Sequence, residues 1–195
     1  MEFETAVKRR RMVRNYTDEP VEPAKLDRIM DMARRAPSAG FSQGQSFVVV
    51  TDPAIRKRIA EIAGEPDYVA MGFDPWVSRA PVLVLVCTSE KIYKDRYSEP
   101  DKKGAVEGEW PVPYWWVDGG CSMMLLLLAS VDEGLVSGFL GLPDYSPLKE
   151  LLGIPEHVSP IGIVTIGHPA PDRRSPSLGR GWKAPESVVH RERWS

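Results

Sequence analysis

Two uninterrupted apolar runs constrain this chain most. Val82-Leu83-Val84-Leu85-Val86-Cys87 follows Pro81, and Ile161-Gly162-Ile163-Val164-Thr165-Ile166-Gly167 comes later. Neither alternates apolar with polar residues. A strand that is apolar on both faces has to be covered on both faces, so each run predicts an interior strand with helices above and below it. A third segment, Trp115 to Glu133, is apolar nearly all round and predicts a long, central, buried helix ended by Gly134. Phe47-Val48-Val49-Val50 is a further strand by β-branching, and Leu135 to Leu140 a short strand or extended turn. The mixture of strands with intervening helices defines an α+β or α/β chain.

The remaining helices are amphipathic. Residues 3–13 predict a first helix, with Phe3, Ala6 and Val13 apolar and bases crowding its end, where they suit the macrodipole. Pro23 opens a second, with Leu26, Ile29, Met30 and Ala33 at helical spacing, and Pro37 stops it. Residues 54–63 and 146–153 predict two more. Residues 89–113 are polar and broken by Pro100, Gly104, Pro111 and Pro113. So long an aperiodic stretch reads as a lid or an excursion over a partner rather than a passive connector. Residues 168–195 are rich in Pro, Arg and Gly. Such a tail is either unordered or laid across a second subunit, and Val188, Val189 and Trp194 give it apolar groups to dock with. No repeat or compositional break divides the chain, so residues 1–195 read as one domain.

Charge and cysteine content exclude several classes. Lys plus Arg is 25 and Asp plus Glu 27, giving a net charge of −2. That balance argues against a nucleic-acid-coating protein. The longest apolar run, Met123 to Ala129, falls short of the roughly 20 residues that span a bilayer. The two cysteines, Cys87 and Cys121, lie in apolar stretches and read as core residues in a reducing cytoplasm. The start has acids before bases and no apolar stretch, unlike a secretory signal.

Three segments are candidates for chemistry. Lys8, Arg9, Arg10, Arg11 and Arg14 place five cations in seven residues, and an anion would relieve their repulsion. The same cluster also suits a solvated helix end or a nucleic-acid patch. The loop from Pro37 to Gln45 carries amides, hydroxyls and two glycines that let a backbone approach a ligand, though connecting loops use the same residues. Gly179-Arg180-Gly181-Trp182-Lys183 could add a second pair of cations. There is no phosphate loop and no GxGxxG after a strand. His157, His168 and His190 are scattered, so no metal site is expected. Ser137 lies outside any GxSxG elbow.

In order and spacing these pieces resemble the FMN-dependent nitroreductase family across nearly the whole chain. Arg10-Arg11-Met12-Val13-Arg14-Asn15-Tyr16 resembles its N-terminal Arg-Arg-Ser-hydrophobic-Arg-x-aromatic motif. Ala36-Pro37-Ser38-Ala39-Gly40-Phe41-Ser42-Gln43 resembles its Ala-Pro-Ser-x-x-Asn-x-Gln motif. Gly134-Leu135 with Ser137-Gly138-Phe139 resembles the stretch beside the flavin, residues 163–169 the late strand, and residues 183–194 the closing segment. The sequence departs from the family at Met12 (usually Ser), Phe41 (usually Asn), Gly44-Gln45 (usually Pro-Trp) and Lys183 (often Arg).

The resemblance implies an α+β fold with a mainly antiparallel sheet, assembled as a domain-swapped homodimer with FMN at the interface. It implies that Arg10 and Arg11, with Arg180 or Lys183, grip the phosphate, and that Met12 belongs to the same segment. Arg14 would stand at the pyrimidine edge, stabilising charge that develops on reduction. Pro37, Ser38, Ala39, Gly40, Phe41 and Gln43 would come from the other subunit, Phe41 covering the ring with an aromatic edge. The amides of Ser137 and Gly138 would approach the flavin N5. Phe41, Trp110 and Tyr114 are the expected substrate contacts, with plain core packing the other reading for the last two. No side chain is needed as acid or base, because the cofactor carries the chemistry. The implied activity is transfer of hydride from NADH or NADPH to a nitroaromatic, quinone or related acceptor in ping-pong order. The alternatives are a flavin-storage protein of the same fold, suggested by Met12 and Phe41, and a reductase using a deazaflavin donor.

Overall fold

The computed structural model describes residues 1–102, 110–173 and 175–194. The strands are Gln45–Val50 (β1), Val82–Thr88 (β2), Val136–Leu140 (β3) and Ser159–Gly167 (β4). They form one antiparallel sheet in the order β1-β2-β4-β3. The two apolar runs are its interior strands, and every residue of β2 is buried. Period two divides β2 between two cores. Leu83, Leu85 and Cys87 meet Val13, Tyr16, Ile59, Leu148 and Ile163, while Val82, Val84 and Val86 meet Ile29, Leu126, Leu127, Val164 and Ile166.

The helices are Phe3–Arg9 (α1), Pro23–Ala33 (α2), Pro53–Ile62 (α3), Glu65–Ala70 (α4), Glu90–Tyr97 (α5), Tyr114–Asp132 (α6) and Ser146–Leu152 (α7). Three expectations change. α1 is shorter than 3–13, because Val13 leaves the helix to enter the core and Met12 pairs in parallel with Ser137. The span 89–113 contains α5 and a 3-10 turn, Pro100–Lys102, rather than aperiodic coil, and the rest of the expected lid, residues 103–109, lies outside the described residues. α6 is not buried all round. Leu126, Leu127 and Ala129 pack into the core, while Val117 and Met124 are exposed and Cys121 and Leu128 half-buried. By length and hydropathy α6 would reach across a membrane, contrary to the reading from its central run, yet half of it is buried inside the fold. In the tail, residues 176–194, Leu178, Trp182, Val188, Val189 and Trp194 stay exposed, Trp182 at 96% and Trp194 at 87%.

Sheet register fixes two ends that matter for function. At one end Ser137 pairs with Ile166, and Ile166 with Val82. At the other, Gln45 pairs with Thr88, and Thr88 Oγ1 donates to the Trp115 carbonyl at the start of α6 (2.9 Å). Val82 and Thr88 are six steps apart on one strand, so the ends are about 20 Å apart.

Candidate functional site

The arginine segment lies at the Ser137 end. The Val13 N–H donates to the Ser137 carbonyl (3.0 Å). The Tyr16 hydroxyl donates to the Val13 carbonyl (3.0 Å) and shares a hydrogen bond with Thr165 Oγ1 (2.5 Å). Burial pushes the Tyr16 phenol above its usual range, opposed by its bond to Thr165, so it stays a neutral structural pin. The segment crosses β3 so closely that a Cβ on Gly138 would lie 2.4 Å from the Val13 carbonyl oxygen. Only glycine permits that approach. The Gly138 N–H donates to Thr165 Oγ1 (3.2 Å), a bond it would have to share to serve a ring nitrogen. The buried Ser137 Oγ has no hydrogen-bond partner among the described residues.

This backbone pinning leaves the basic side chains outward. Arg11 pairs with Asp172 at 3.7 Å, and the Arg14 N–H donates to the same carboxylate at 3.2 Å. The Arg14 guanidinium lies over the Trp76 ring, 5.6 Å from its centre. Among the described residues Arg9 and Arg10 have no carboxylate within 4 Å, so they can meet an external anion. A cavity of about 360 Å³ opens beside Arg14, walled by Tyr68, Phe73, Asp74, Asp172 and Arg173. Tyr68 and Phe73 stack at 4.3 Å, and Arg173 lies over Phe73 at 5.8 Å. Arg79 Nη1 donates to Asn15 Oδ1 (2.7 Å), tying this wall to the arginine segment. Buried Glu65 fixes the wall by accepting the N–H groups of Trp76 (2.8 Å) and Val77 (2.6 Å). The sequence reading missed the wall. Its only local signal was the isolated aromatics of residues 68–76.

The second candidate segment, Pro37 to Gln43, lies at the Thr88 end, just before β1. It is a tight 3-10 turn over Ala39–Phe41 with three positive φ angles, at Gly40 (61°), Phe41 (55°) and Gln43 (52°). For Phe41 and Gln43 that conformation costs on the order of 1 kcal/mol each. The Gln43 N–H donates to Ser38 Oγ (2.9 Å), and the Ala39 N–H to the buried Asp118 carboxylate (2.8 Å). Phe41 projects outward, 75% exposed. Trp110 packs edge-on against Tyr97 (4.6 Å), Tyr114 (6.2 Å) and Trp115 (5.8 Å). Tyr97 in turn covers Gly40, where a Cβ would lie 2.7 Å from its ring.

Within one chain, then, the expected site residues fall into three groups. Arg10, Arg11, Met12, Arg14, Ser137 and Gly138 stand together. Ser38 to Gln43, with Trp110 and Tyr114 nearby, stand at the other end of the sheet. Arg180 and Lys183 sit on the exposed tail beyond Pro176, which lines the cavity beside Arg14. No cluster of metal-ligating side chains occurs among the described residues.

Residues 7–168 match the Nitroreductase family, which is most of the chain, and the chain belongs to that family. It is 32% identical over 188 residues to the FMN reductase [NAD(P)H] of Bacillus subtilis, covering 93% of this chain and 70% of the relative. It is 28% identical over 197 residues to a putative NADH dehydrogenase/NAD(P)H nitroreductase of Archaeoglobus fulgidus, covering 95% and 94%. Among solved structures, NfrA2 of B. megaterium superposes with a TM-score of 0.79 at 25% identity, covering 100% of this chain and 76% of that one. The sheet and helices described above are the nitroreductase fold.

Proposed function

We propose that this chain is a homodimeric flavin reductase whose two FMN sites are each shared between subunits. FMN as cofactor and NAD(P)H as donor follow from family membership and from the FMN reductase relative. The observation that carries the composite site is the separation of the two flavin-type segments by about 20 Å across one sheet. That span is about the length of the whole cofactor, which supports a site in which a second copy, turned about a two-fold axis, would bring its loop to the arginines of the first. Two surfaces favour that assembly. α6 offers Val117, Cys121, Met124 and Leu128 along one outward face, and the tail offers Leu178, Trp182, Val188 and Val189. The tail is also what would carry Arg180 and Lys183 to the partner's phosphate.

The residues suit the cofactor. Arg10, without a carboxylate partner among the described residues, would meet the phosphate dianion with Arg11. Arg14, stacked on Trp76, would hold positive charge beside the pyrimidine edge and favour the reduced anion. The unpartnered Ser137 Oγ offers a donor in a buried position. Phe41 would cover one ring face from the partner side. When bound, FMN supplies the two-electron chemistry, taking hydride from NAD(P)H and reducing the acceptor. The protein binds, orients and excludes water, and donor and acceptor use the same face in turn. Quinones and nitroaromatics suit the aromatic wall of Tyr68 and Phe73 beside Arg14, and Trp110, at the loop end, would reach the same site only from the partner.

A visible spectrum of the purified protein, followed by anaerobic reduction with NADH and NADPH and turnover with menadione or a nitrofuran, tests this reading. Colourless protein that does not rebind FMN contradicts it. Flavin binding without turnover would favour storage, the reading that Met12 and Phe41 motivate.

A further inference from the structure

α5 lies in the span that sequence pattern leaves aperiodic, and three of its side chains converge on the loop 38–43. The Tyr93 hydroxyl donates to Asp118 Oδ2 (2.7 Å), the same oxygen that accepts the Ala39 N–H (2.8 Å). Arg96 Nε donates to the Gly40 carbonyl (3.0 Å), and the Arg96 fork is itself held by Asp101 through two bonds of 2.7 Å. The Tyr97 ring covers Gly40. The Tyr93 ring fills the space where a Cβ on Gly44 would sit, 2.3 Å from its ring carbon. Gly44 is also a position where this sequence leaves the family pattern of proline. The departure therefore has a physical reason, since a proline there would collide with Tyr93.

Two strained non-glycine residues in a short turn persist only when their surroundings over-determine them. Here the surroundings are α5 and α6. We propose that Asp118, braced by Tyr93 and assisted by Arg96, is the positioning residue that holds the flavin-facing loop in its binding conformation before cofactor arrives. Asp118 and Tyr93 are positioning residues in this proposal, not flavin contacts. Both are buried and act through the Ala39 amide and the Gly40–Gln43 turn. The Tyr93 phenol is pushed above its ordinary value by burial first and by its bond to Asp118 second, so it remains a donor throughout the working pH range. Preorganisation of this kind strengthens binding by removing the ordering cost from the association step.

The inference rests on the loop being a flavin contact, as proposed above, and its test separates the two. FMN affinity is measured by fluorescence titration of apoprotein, alongside hydrogen exchange at the Ala39 amide. Asp118→Ala is expected to raise the FMN Kd about tenfold and to speed exchange at Ala39 by a similar factor. Asp118→Asn, which keeps an acceptor for the amide, should recover most of both. Tyr93→Phe should give an intermediate Kd and serves if Asp118→Ala does not fold. A folded Asp118→Ala or Tyr93→Phe protein with wild-type FMN affinity overturns the inference alone. A wild-type chain that takes no FMN overturns it together with the proposed function.

Discussion

The two ends of the sheet solve the same problem, presenting a ligand-facing segment, in opposite ways. At the Ser137 end the chain is fixed through its backbone. Met12 and Tyr16 form bridges to Ser137 and Pro169, and Gly138 lets the strands nearly touch. The side chains there are turned outward, Arg10 without a carboxylate among the described residues, Arg11 only loosely paired with Asp172 and Arg14 on Trp76. At the Thr88 end the backbone has no such partner. The turn is held by side chains of α5 and α6, which bond its Ala39 N–H and Gly40 carbonyl, and the Phe41 side chain is what faces outward. The lesson is that charge recognition needs only an anchored segment, whereas shape recognition by a turn needs a built support.

Four changes would break or sharpen that contrast, taken from the largest effect downward. Arg10→Ala combined with Arg14→Ala should weaken FMN by about 100-fold while lowering the melting temperature only slightly, because two charge-assisted contacts go and the only packing lost is that of Arg14 on Trp76. Titration calorimetry of the apoprotein reads the first and thermal unfolding the second. Gly138→Ala should show the reverse pattern. Its Cβ would meet the Val13 carbonyl at 2.4 Å and Thr165 Oγ1 at 2.8 Å, so backbone must move. A loss of about 3 kcal/mol, or roughly 6–12 °C in melting temperature, is expected.

A milder probe uses the sheet core that joins the two ends. Burial raises the Cys87 thiol from 9.0 to about 12. Below pH 9 the thiol is neutral in both folded and unfolded chains and has no effect. Between pH 9 and 12 the unfolded chain ionises and the folded one does not, so stability must fall as pH rises. Native protein should also leave the buried Cys87 unlabelled by iodoacetamide, whereas denatured protein labels it. Chemical denaturation across pH 8 to 10.5 and mass mapping of labelled thiols check both points. The smallest effect is expected from Arg28→Ala. It removes a bidentate but solvent-exposed pair with Glu133 and should leave both the melting temperature and the FMN affinity nearly unchanged.

Much of this was legible in the sequence, for a definite reason. β2 and β4 announce themselves because burial on both faces leaves only Thr88, Ser159 and Thr165 as polar residues. α2, α3 and α7 carry proline at their starts and regular apolar spacing. α5 did not show, because only Tyr93 on it is fully buried and its other tasks use Arg96 and Tyr97. The early end of α1 was hidden too, since Val13 fits helical spacing and what draws it away, the Ser137 carbonyl, is remote in sequence. At the site, the arginines and the glycine-bearing loop were visible by composition. Positive φ at Phe41 and Gln43 was not, because it is imposed by tertiary contacts rather than by the residues themselves. The aromatic wall of Tyr68 and Phe73 carried no motif at all.

The shared site is tested most directly by a mixed dimer. One chain carries Arg10→Ala with Arg14→Ala, the other Gly40→Val, which drives a side chain into the Tyr97 ring. Each variant alone should purify without flavin. Co-expressed with two affinity tags and isolated as the heterodimer, the pair concentrates both lesions in one site and leaves the other intact. The account predicts one FMN per heterodimer and recovery of NAD(P)H oxidation. A heterodimer as empty as its parents would mean that each chain builds its flavin site alone, and the shared arrangement would be wrong.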